Sequence, residues 1–195
     1  MRKYCRKITK LLYDDGGFVA NYFNDPEMVA MYDELMKDEE WYKELFSFFS
    51  SELRFDHECY YLTRKLPKSQ YETRLRNFYL WIDVIDLMTN IFVNCKPGMT
   101  YKFTEVLKLV ETGSNLPQKL KNVCKTYLND ENKETNENLN NLFSFLVKSQ
   151  VLDKIEKKDE ENEFVVTAVY TYYSQCVYSI KLHQVEEQNN DNPTT

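Results

Sequence analysis

Residues 39–64, EEWYKELFSFFSSELRFDHECYYLTR, change in the spacing of their apolar residues about halfway along the stretch. In the first half, apolar side chains recur every three or four residues, which predicts an amphipathic helix over about 39–51. In the second half, two short alternating runs lie on either side of the polar turn 56–58, which predicts a β-hairpin. The stretch therefore predicts a helix followed directly by two antiparallel strands.

The helix predicted over 39–51 has a wide apolar face. Its aromatic and aliphatic residues cover an arc of roughly 160° at ~100° per residue. Such an arc suits generous packing in one core, and it also suits contact of part of the face with a second chain. The residues assigned to this candidate dimer or partner surface are Trp41, Tyr42, Phe46 and Phe49.

The segment before residue 39 supplies the other elements of a small unit. Apolar residues at helical spacing over 3–13 predict a first helix, and Gly16-Gly17 ends it. Phe18-Val19 predicts a short extended piece, and Asn24 or Asp25 can cap the helix that follows. Helix, strand, two helices and a hairpin form the element order of a winged-helix unit.

Residues 71–94 form the longest helical pattern. On a helical wheel the polar residues fall in one arc of about 80°, and the remaining circumference is almost wholly apolar. We expect such a helix to be buried on several sides and to lie between the two halves of the chain. The polar residues are Arg76, Asp83, Asp86 and Asn90.

The first pattern returns in outline after the break at Lys96-Pro97-Gly98. An extended piece, three helices and a charged hairpin over 151–166 follow, and Thr167 begins a last helix. We therefore predict an α+β fold that is mostly helical, with tandem winged-helix units around a central connecting helix. The predicted divisions are an N-terminal winged-helix unit at 1–66, a buried connecting helix at 67–96, a C-terminal winged-helix unit at 97–182 and a disordered tail at 183–195.

Composition and charge narrow the class of protein. Hydrophobic residues make up 43% of the chain against only 4 Gly and 5 Pro, which favours helices over a turn-rich sandwich or barrel. The net charge of −6 argues against a protein that binds nucleic acid by itself, because phosphate neutralisation usually needs a basic excess. Any DNA contact is therefore expected to be local or shared with a partner.

Cysteine usage and the N-terminal sequence bear on cofactors and compartment. Five scattered cysteines, two histidines and no C-x-x-C disfavour a structural zinc site and favour buried thiols in a reducing compartment. The chain starts Met-Arg-Lys with no apolar signal region after it, and no apolar run is long enough to span a membrane. We expect a cytoplasmic protein that needs no cofactor.

Two residue pairs invite a catalytic interpretation, and a structural one fits both better. Asp83 and Asp86 share one helix face, where a solvated or ion-paired stripe is the simpler interpretation. His57 and Cys59 lie two apart on a hairpin, and nothing in the nearby sequence would orient them. No Walker A, G-x-G-x-x-G, H-E-x-x-H or G-x-S-x-G sequence occurs. We expect a protein that is not an enzyme.

Clusters of basic residues are candidates for contacts with DNA phosphates. Ordinary solvated surface is the alternative, and both interpretations stay open. The helices that would enter a DNA groove carry acidic residues such as Glu39, Glu40 and Glu137, so sequence-specific recognition is not expected. The candidate phosphate contacts are Arg64, Lys65 and Lys68 after the first hairpin, and Lys119, Lys121 and Lys125 on a helix of the second half.

Several short motifs, taken in their order along the chain, resemble one family. They are Gly16-Gly17-Phe18 after the first helix, Met31-Tyr32-Asp33 on the second, CYYLTR at 59–64, FYLWIDVID at 78–86, the segment 139–152 and FVVT at 164–167, where the second hairpin ends. Over residues 5–182 this succession resembles the MksE branch of the MukE family. Members of that family are the kite-type accessory subunits of the condensin-like MukBEF, MksBEF and Jet complexes.

The resemblance implies a homodimer of tandem winged-helix proteins that binds a kleisin subunit similar to MukF or MksF. Through the kleisin it would join an SMC-type ATPase similar to MukB or MksB, and the nucleoid-associated assembly would move or compact DNA. Contacts of this chain with DNA would be non-specific, and the ATPase activity would belong to the partner. Chromosome organisation and defence against plasmids both stay open as the role of the complex.

A second class of function is a stand-alone winged-helix transcription regulator. It would need a basic recognition surface, which the acidic residues of the predicted groove-facing helices do not provide. A monomer that shifts a DNA duplex and ignores a kleisin would support it.

The predicted burial of the helix over 71–94 can be tested at its tryptophan. We expect Trp81→Ala to unfold the protein or to separate its two halves, because removing a buried Trp side chain typically costs about 3–5 kcal/mol. Thermal unfolding followed by circular dichroism measures the effect. A variant that melts like the wild type would show that this helix is not buried.

Overall fold

The computed structural model describes residues 2–65, 67–92, 94–128, 134–157 and 161–190, and for residues 68, 71, 74 and 180–190 it describes the backbone alone. These residues form mostly helices with two small antiparallel sheets, which confirms the predicted α+β class. The N-terminal half consists of α1 Cys5–Thr9, a π-helical turn Lys10–Asp14, β1 Val19–Ala20, α2 Pro26–Lys37, α3 Glu39–Ser47, β2 Glu52–Asp56 and β3 Cys59–Thr63. The rest consists of a 3₁₀ turn Lys68–Gln70, α4 Tyr71–Ile91, β4 Thr100–Lys102, α5 Phe103–Thr112, α6 Leu116–Tyr127, α7 Thr135–Lys148, β5 Leu152–Ile155, β6 Glu163–Val166 and α8 Ala168–Asn190.

The two halves have sheets of the same topology. The strand order is β1-β3-β2 in one and β4-β6-β5 in the other, so in each the early strand pairs with the last strand of the hairpin. All pairs are antiparallel, with Val19 opposite Tyr60 and Thr100 opposite Val165. This is the order that tandem winged-helix units require, and the winged-helix assignment itself stays a prediction.

The helix that precedes each hairpin also ends in the same way. Ser50 and Gln150 both have a positive φ, of 53° and 62°. The next N–H then donates back across the last turn, from Ser51 to the Phe46 carbonyl and from Val151 to the Leu146 carbonyl. This six-residue bond is the Schellman ending of a helix. It stops α3 at Ser47, short of the predicted residue 51, and turns the chain into β2.

The N-terminal half has its own hydrophobic core. Asp25, one of the two predicted caps, accepts a hydrogen bond from the Glu27 N–H at 2.9 Å and starts α2 at Pro26. The apolar faces of α1, α2 and α3 then meet the inner side of the sheet. The core residues are Ile8, Leu12, Val19, Met28, Met31, Tyr32, Leu35, Tyr42, Phe46, Leu53 and Tyr60.

The long helix α4 lies mainly against α5, α6 and α8 of the C-terminal half. The hydrophobic cluster to which it belongs also includes Phe18 of the N-terminal half, and its role as a connecting helix between two units stays a prediction. Trp81 is 8% exposed and stacks on Tyr173 of α8 with ring centroids 3.7 Å apart. Leu75 and Tyr79 are 56% and 60% exposed, and at ~100° per residue they lie in or beside the polar arc of the helix, on the side away from Trp81.

The last helix continues further than the sequence pattern indicates. α8 runs to Asn190 and so includes the first part of the segment 183–195 that was expected to be a disordered tail. Val185 to Gln188 are compatible with a helix, and the first proline after it is Pro193. Residues 191–195 lie outside the described residues.

The side chain of Gln150 joins the two halves. Its amide oxygen accepts from the Phe18 N–H at 2.7 Å, and its amide nitrogen donates to the Phe18 carbonyl at 2.8 Å. Gly17 makes this approach possible, because a Cβ at that position would lie 2.6 Å from the same amide oxygen. We call this pair of hydrogen bonds the Gln150 clamp.

Aromatic rings and further hydrogen bonds surround the Gln150 clamp. The Phe18 ring lies 5.0 Å from the ring of Tyr172 on α8, which in turn lies 4.8 Å from Tyr61 on β3. The Asn24 N–H also donates to the Asp153 carboxylate at 2.7 Å. The halves are therefore joined by both polar and apolar contacts.

The Gln150 clamp makes a stability prediction. Gln150→Ala leaves the Phe18 N–H and carbonyl without these partners, so we expect the free energy of unfolding to fall by about 1–3 kcal/mol. Urea denaturation measures it. Gln118→Ala is the matched control, since Gln118 is exposed on α6 and its side-chain amide donates to the neighbouring exposed Asn122, and it should change stability by less than about 0.5 kcal/mol. Equal effects of the two substitutions would contradict the clamp.

Candidate partner-binding surfaces

The predicted partner surface on α3 is wrong at Tyr42 and Phe46. Both are fully buried in the N-terminal core, with rings 6.3 Å apart. The Tyr42 hydroxyl donates to the Glu34 carboxylate at 2.6 Å, which satisfies its polar end inside the unit. Part of the wide aromatic arc is therefore explained by core packing, as one of the two sequence interpretations holds.

Trp41 and Phe49 lie at the edge of that core. The Arg2 guanidinium lies 4.0 Å from the Trp41 ring centroid, and Arg2 also pairs with Asp38 at 3.0 Å. Phe49 is 45% exposed and packs one side on Tyr13, with ring centroids 5.2 Å apart. Of the four predicted residues, Phe49 presents the clearest apolar surface to solvent.

Phe48 is the residue that the predicted surface omitted. It is 77% exposed, the largest exposed fraction among the described large hydrophobic residues. Phe48 is the C-cap residue of α3 and has helical backbone angles of φ −62° and ψ −24°, so on a helical wheel it lies at the edge of the apolar arc farthest from Phe46. Phe48 and Phe49 together form an exposed aromatic pair, which suits contact with another protein.

Each half has a cleft between its hairpin and the helix before it. In the C-terminal half, a cleft of about 560 Å³ lies between α7 and the β5–β6 hairpin, and we call it the α7 cleft. In the N-terminal half, a cleft of about 630 Å³ lies between α3 and β2, and we call it the α3 cleft. The α7 cleft is bordered by three Phe side chains, whereas the α3 cleft is bordered mainly by polar and charged ones.

The α3 cleft does not present free positive charge. Lys43 pairs with Glu39 at 2.7 Å and with Glu40 at 2.8 Å, and Arg54 pairs with Glu52 at 2.8 Å. These hydrogen bonds from Lys43 lower the pKa of Glu39, so its carboxyl stays ionised. Such a face offers little attraction to a DNA groove, and the expectation against sequence-specific recognition stays a prediction.

The candidate phosphate contacts differ in their surroundings. Lys119 is engaged by Asp86 at 3.1 Å, whereas Lys121 and Lys125 are exposed and form no ion pair with a described residue. Arg64 and Lys65 are exposed too, with the Arg64 guanidinium 6.0 Å from the Tyr13 ring centroid. The side chain of Lys68 lies outside the described part of the chain. The contact of these residues with DNA stays a prediction.

The polar stripe of α4 is tied to α6. Besides the Lys119 pair on Asp86, the Tyr127 hydroxyl donates to Asp83 at 2.6 Å. Burial and this hydrogen bond raise the pKa of Tyr127 to about 12, so the phenol stays protonated as a donor. The two carboxylates thus have structural partners, as the ion-paired interpretation of the stripe expects.

Cys59 is unsuited to act as a nucleophile. Its side chain is fully buried, and its thiol lies 3.5 Å from the His57 carbonyl, to which it donates. Burial, with the nearby charges of Glu58 and Asp56, raises the pKa of the thiol to about 12. Since the thiolate is the reactive form, the thiol is unreactive near neutral pH.

The described residues offer neither a cluster of metal ligands nor a membrane-spanning helix. No group of three or more His, Cys, Asp or Glu side chains in this part of the chain could hold a metal ion. No helix within the same residues is long and apolar enough to cross a membrane.

The fold and these surfaces define a mostly helical protein of two sheet-bearing halves, with exposed aromatic residues and clefts that suit contact with other chains. The family described as condensin complex protein MksE matches residues 3–177, and the chain belongs to this family. This confirms the resemblance to the MukE/MksE family, and it makes the protein an accessory subunit of a condensin-like complex. No curated protein matches the chain.

Burial of Cys59 predicts its reactivity. In the folded protein at about pH 8, we expect iodoacetamide to leave Cys59 unmodified while the half-buried Cys5 reacts, because Cys59 is neither exposed nor ionised. Mass spectrometry of the peptides measures labelling, and the denatured chain is the control in which both should react.

The raised pKa also means that Cys59 favours folding below about pH 9, and that this contribution is lost as pH rises toward 12.

Proposed function

We propose that this chain is a non-enzymatic subunit that forms a homodimer and binds the kleisin of its condensin-like complex. The observation that carries the proposal is the match to the MksE family over residues 3–177, which includes both halves of the fold. The kleisin, similar to MukF or MksF, would link the chain to an SMC-type ATPase similar to MukB or MksB. Catalysis of ATP hydrolysis would then belong to that partner.

Exposed aromatic residues support an interface role. Phe48 is 77% and Phe49 45% exposed at the end of α3, and their burial by another chain would remove apolar surface from water. Val29 and Met36 are exposed at 44% and 57% and lie two turns apart on α2, at the flank of its buried face. The N-terminal half therefore offers apolar surface for a second copy or for the kleisin.

DNA would be contacted non-specifically and within the assembled complex. Lys121 and Lys125, with Arg64 and Lys65, are exposed side chains that can neutralise phosphates. The net charge of −6 makes the chain alone a weak binder, so contacts of a partner would supply most of the affinity. We place the complex in the cytoplasm, associated with the nucleoid. Organisation of the chromosome and defence against plasmids are the two roles that such a complex could serve.

Co-purification tests this proposal. When the chain is expressed with the kleisin encoded in the same genome, we expect one complex that contains two copies of the chain. Native mass spectrometry measures its composition. A monomer that ignores the kleisin and shifts a DNA duplex by itself would contradict the proposal and favour a stand-alone regulator.

Phe48→Glu locates the interface within the same experiment. Phe48 is mostly exposed, so the substitution should leave the melting temperature almost unchanged while it weakens dimerisation or kleisin binding. Leu109→Glu is the matched control, because Leu109 is 52% exposed on α5 in the other half. If both variants assemble like the wild type, the exposed end of α3 lies in neither interface.

A further inference from the structure

We propose that the α7 cleft binds an acidic peptide segment of a partner chain, which inserts one large apolar side chain between α7 and the β5–β6 hairpin. The cleft measures about 560 Å³, within the range of roughly 300–1,000 Å³ typical of ligand pockets. Its lining residues are Phe103, Asn140, Phe143, Ser144, Val147 and Lys148, with Lys154, Glu161, Asn162 and Phe164 from the hairpin side.

The aromatic border of the cleft is preformed. The rings of Phe103 and Phe164 each meet Phe143 nearly edge to face, with centroids 5.4 Å and 4.6 Å away. Phe143 is 1% and Phe164 8% exposed, so the core holds both rings in place. An anchor side chain that packs here removes apolar surface from water, and little conformational entropy of the cleft is lost.

The charged groups around the cleft favour a negatively charged segment. Lys148 is exposed on α7 and makes no ion pair with any described residue. Lys154 is exposed too, and its partner Glu156 is 78% exposed, so water screens that pair and an incoming carboxylate can compete with it. Both ammonium groups can therefore pair with carboxylates of the peptide on either side of its apolar anchor residue.

Among the described residues that line the cleft, the one carboxylate is already held by hydrogen bonds. Glu161 accepts from the Thr104 N–H at 2.6 Å and from the Thr104 hydroxyl at 2.7 Å, at the start of α5. These two hydrogen bonds lower the pKa of Glu161, because they stabilise its ionised form. Glu161 thus holds the hairpin against α5, and its remaining charge is partly offset by the donors of Thr104.

The α3 cleft occupies the equivalent position in the N-terminal half but lacks the aromatic border and the available lysine. There both cations, Lys43 and Arg54, are paired with glutamates, so the α3 cleft has no counterpart of Lys148 among the described residues that line it, and three rings do not meet at its border. The apolar border and the available Lys148 are therefore properties of the α7 cleft and not of the shared architecture. DNA would use the cations alone, whereas a peptide with an apolar anchor uses the rings as well.

Peptide selection tests the inference. A phage-displayed library of random peptides is selected on the full wild-type chain and depleted on Val147→Arg, which fills the cleft. We expect the recovered peptides to carry Asp or Glu around a Phe, Leu, Ile or Trp. Recovery of peptides without acidic residues, or loss of all wild-type binders in the depletion on Val147→Arg, would overturn the proposal.

Two more variants separate local binding from loss of the fold. Lys148→Glu changes an exposed side chain, so it should keep the melting temperature and weaken a selected peptide about tenfold at low salt in fluorescence polarisation. Replacing the acidic residues of that peptide with Lys should restore binding to this variant. Ser47→Arg in the α3 cleft is the matched control and should bind like the wild type.

The remaining outcomes also decide the matter. If Lys148→Glu binds the peptide as tightly as the wild type, the charge argument fails. If Val147→Arg loses affinity for a DNA duplex and not for peptides, the cleft serves nucleic acid instead. Neither result depends on whether the chain binds a kleisin, so this proposal and the proposed function fail separately.

Discussion

The contact on which the arrangement of the two halves depends is the Gln150 clamp. A side chain at the end of α7 uses both atoms of its amide on the backbone of Phe18, much as a neighbouring strand would. It can do so because Gln150 has left-handed backbone geometry and because Gly17 leaves room for it. The same residue therefore ends the helix before the C-terminal hairpin and holds the N-terminal half.

A cluster of aromatic rings lies beside the Gln150 clamp and joins the two halves. Phe18 belongs to the hydrophobic cluster of the C-terminal half although it lies in the chain between α1 and β1. Tyr172 and Tyr173 of α8 approach it, and Tyr173 in turn stacks on Trp81 of α4. The N-terminal half is thus joined to the same helices that build the core of the other half, and surfaces of both halves are presented in a defined relation.

The repeat of architecture without a repeat of surface explains how one chain can serve several contacts. Both halves have the same sheet topology and the same helix ending, set by hydrogen bonds of the backbone. The side chains on that scaffold differ, since the α3 cleft is bordered by ion pairs and the α7 cleft is bordered by Phe103, Phe143 and Phe164. An accessory subunit of a multi-chain complex needs such distinct surfaces on a rigid frame.

The sequence by itself determined the helical class, the two hairpins, the cap at the start of α2 and the family, because these follow from local spacing, turn chemistry and motif order. Tertiary structure decided which apolar residues are buried. The wheel of α3 places Phe46 and Phe48 at opposite edges of one apolar arc and does not tell which edge faces a core; the structure buries Tyr42 and Phe46 and leaves Phe48 exposed. Likewise, the partners of α4 and the pairing of Gln150 with Phe18 join residues far apart in the chain, and periodicity carries no information about such contacts.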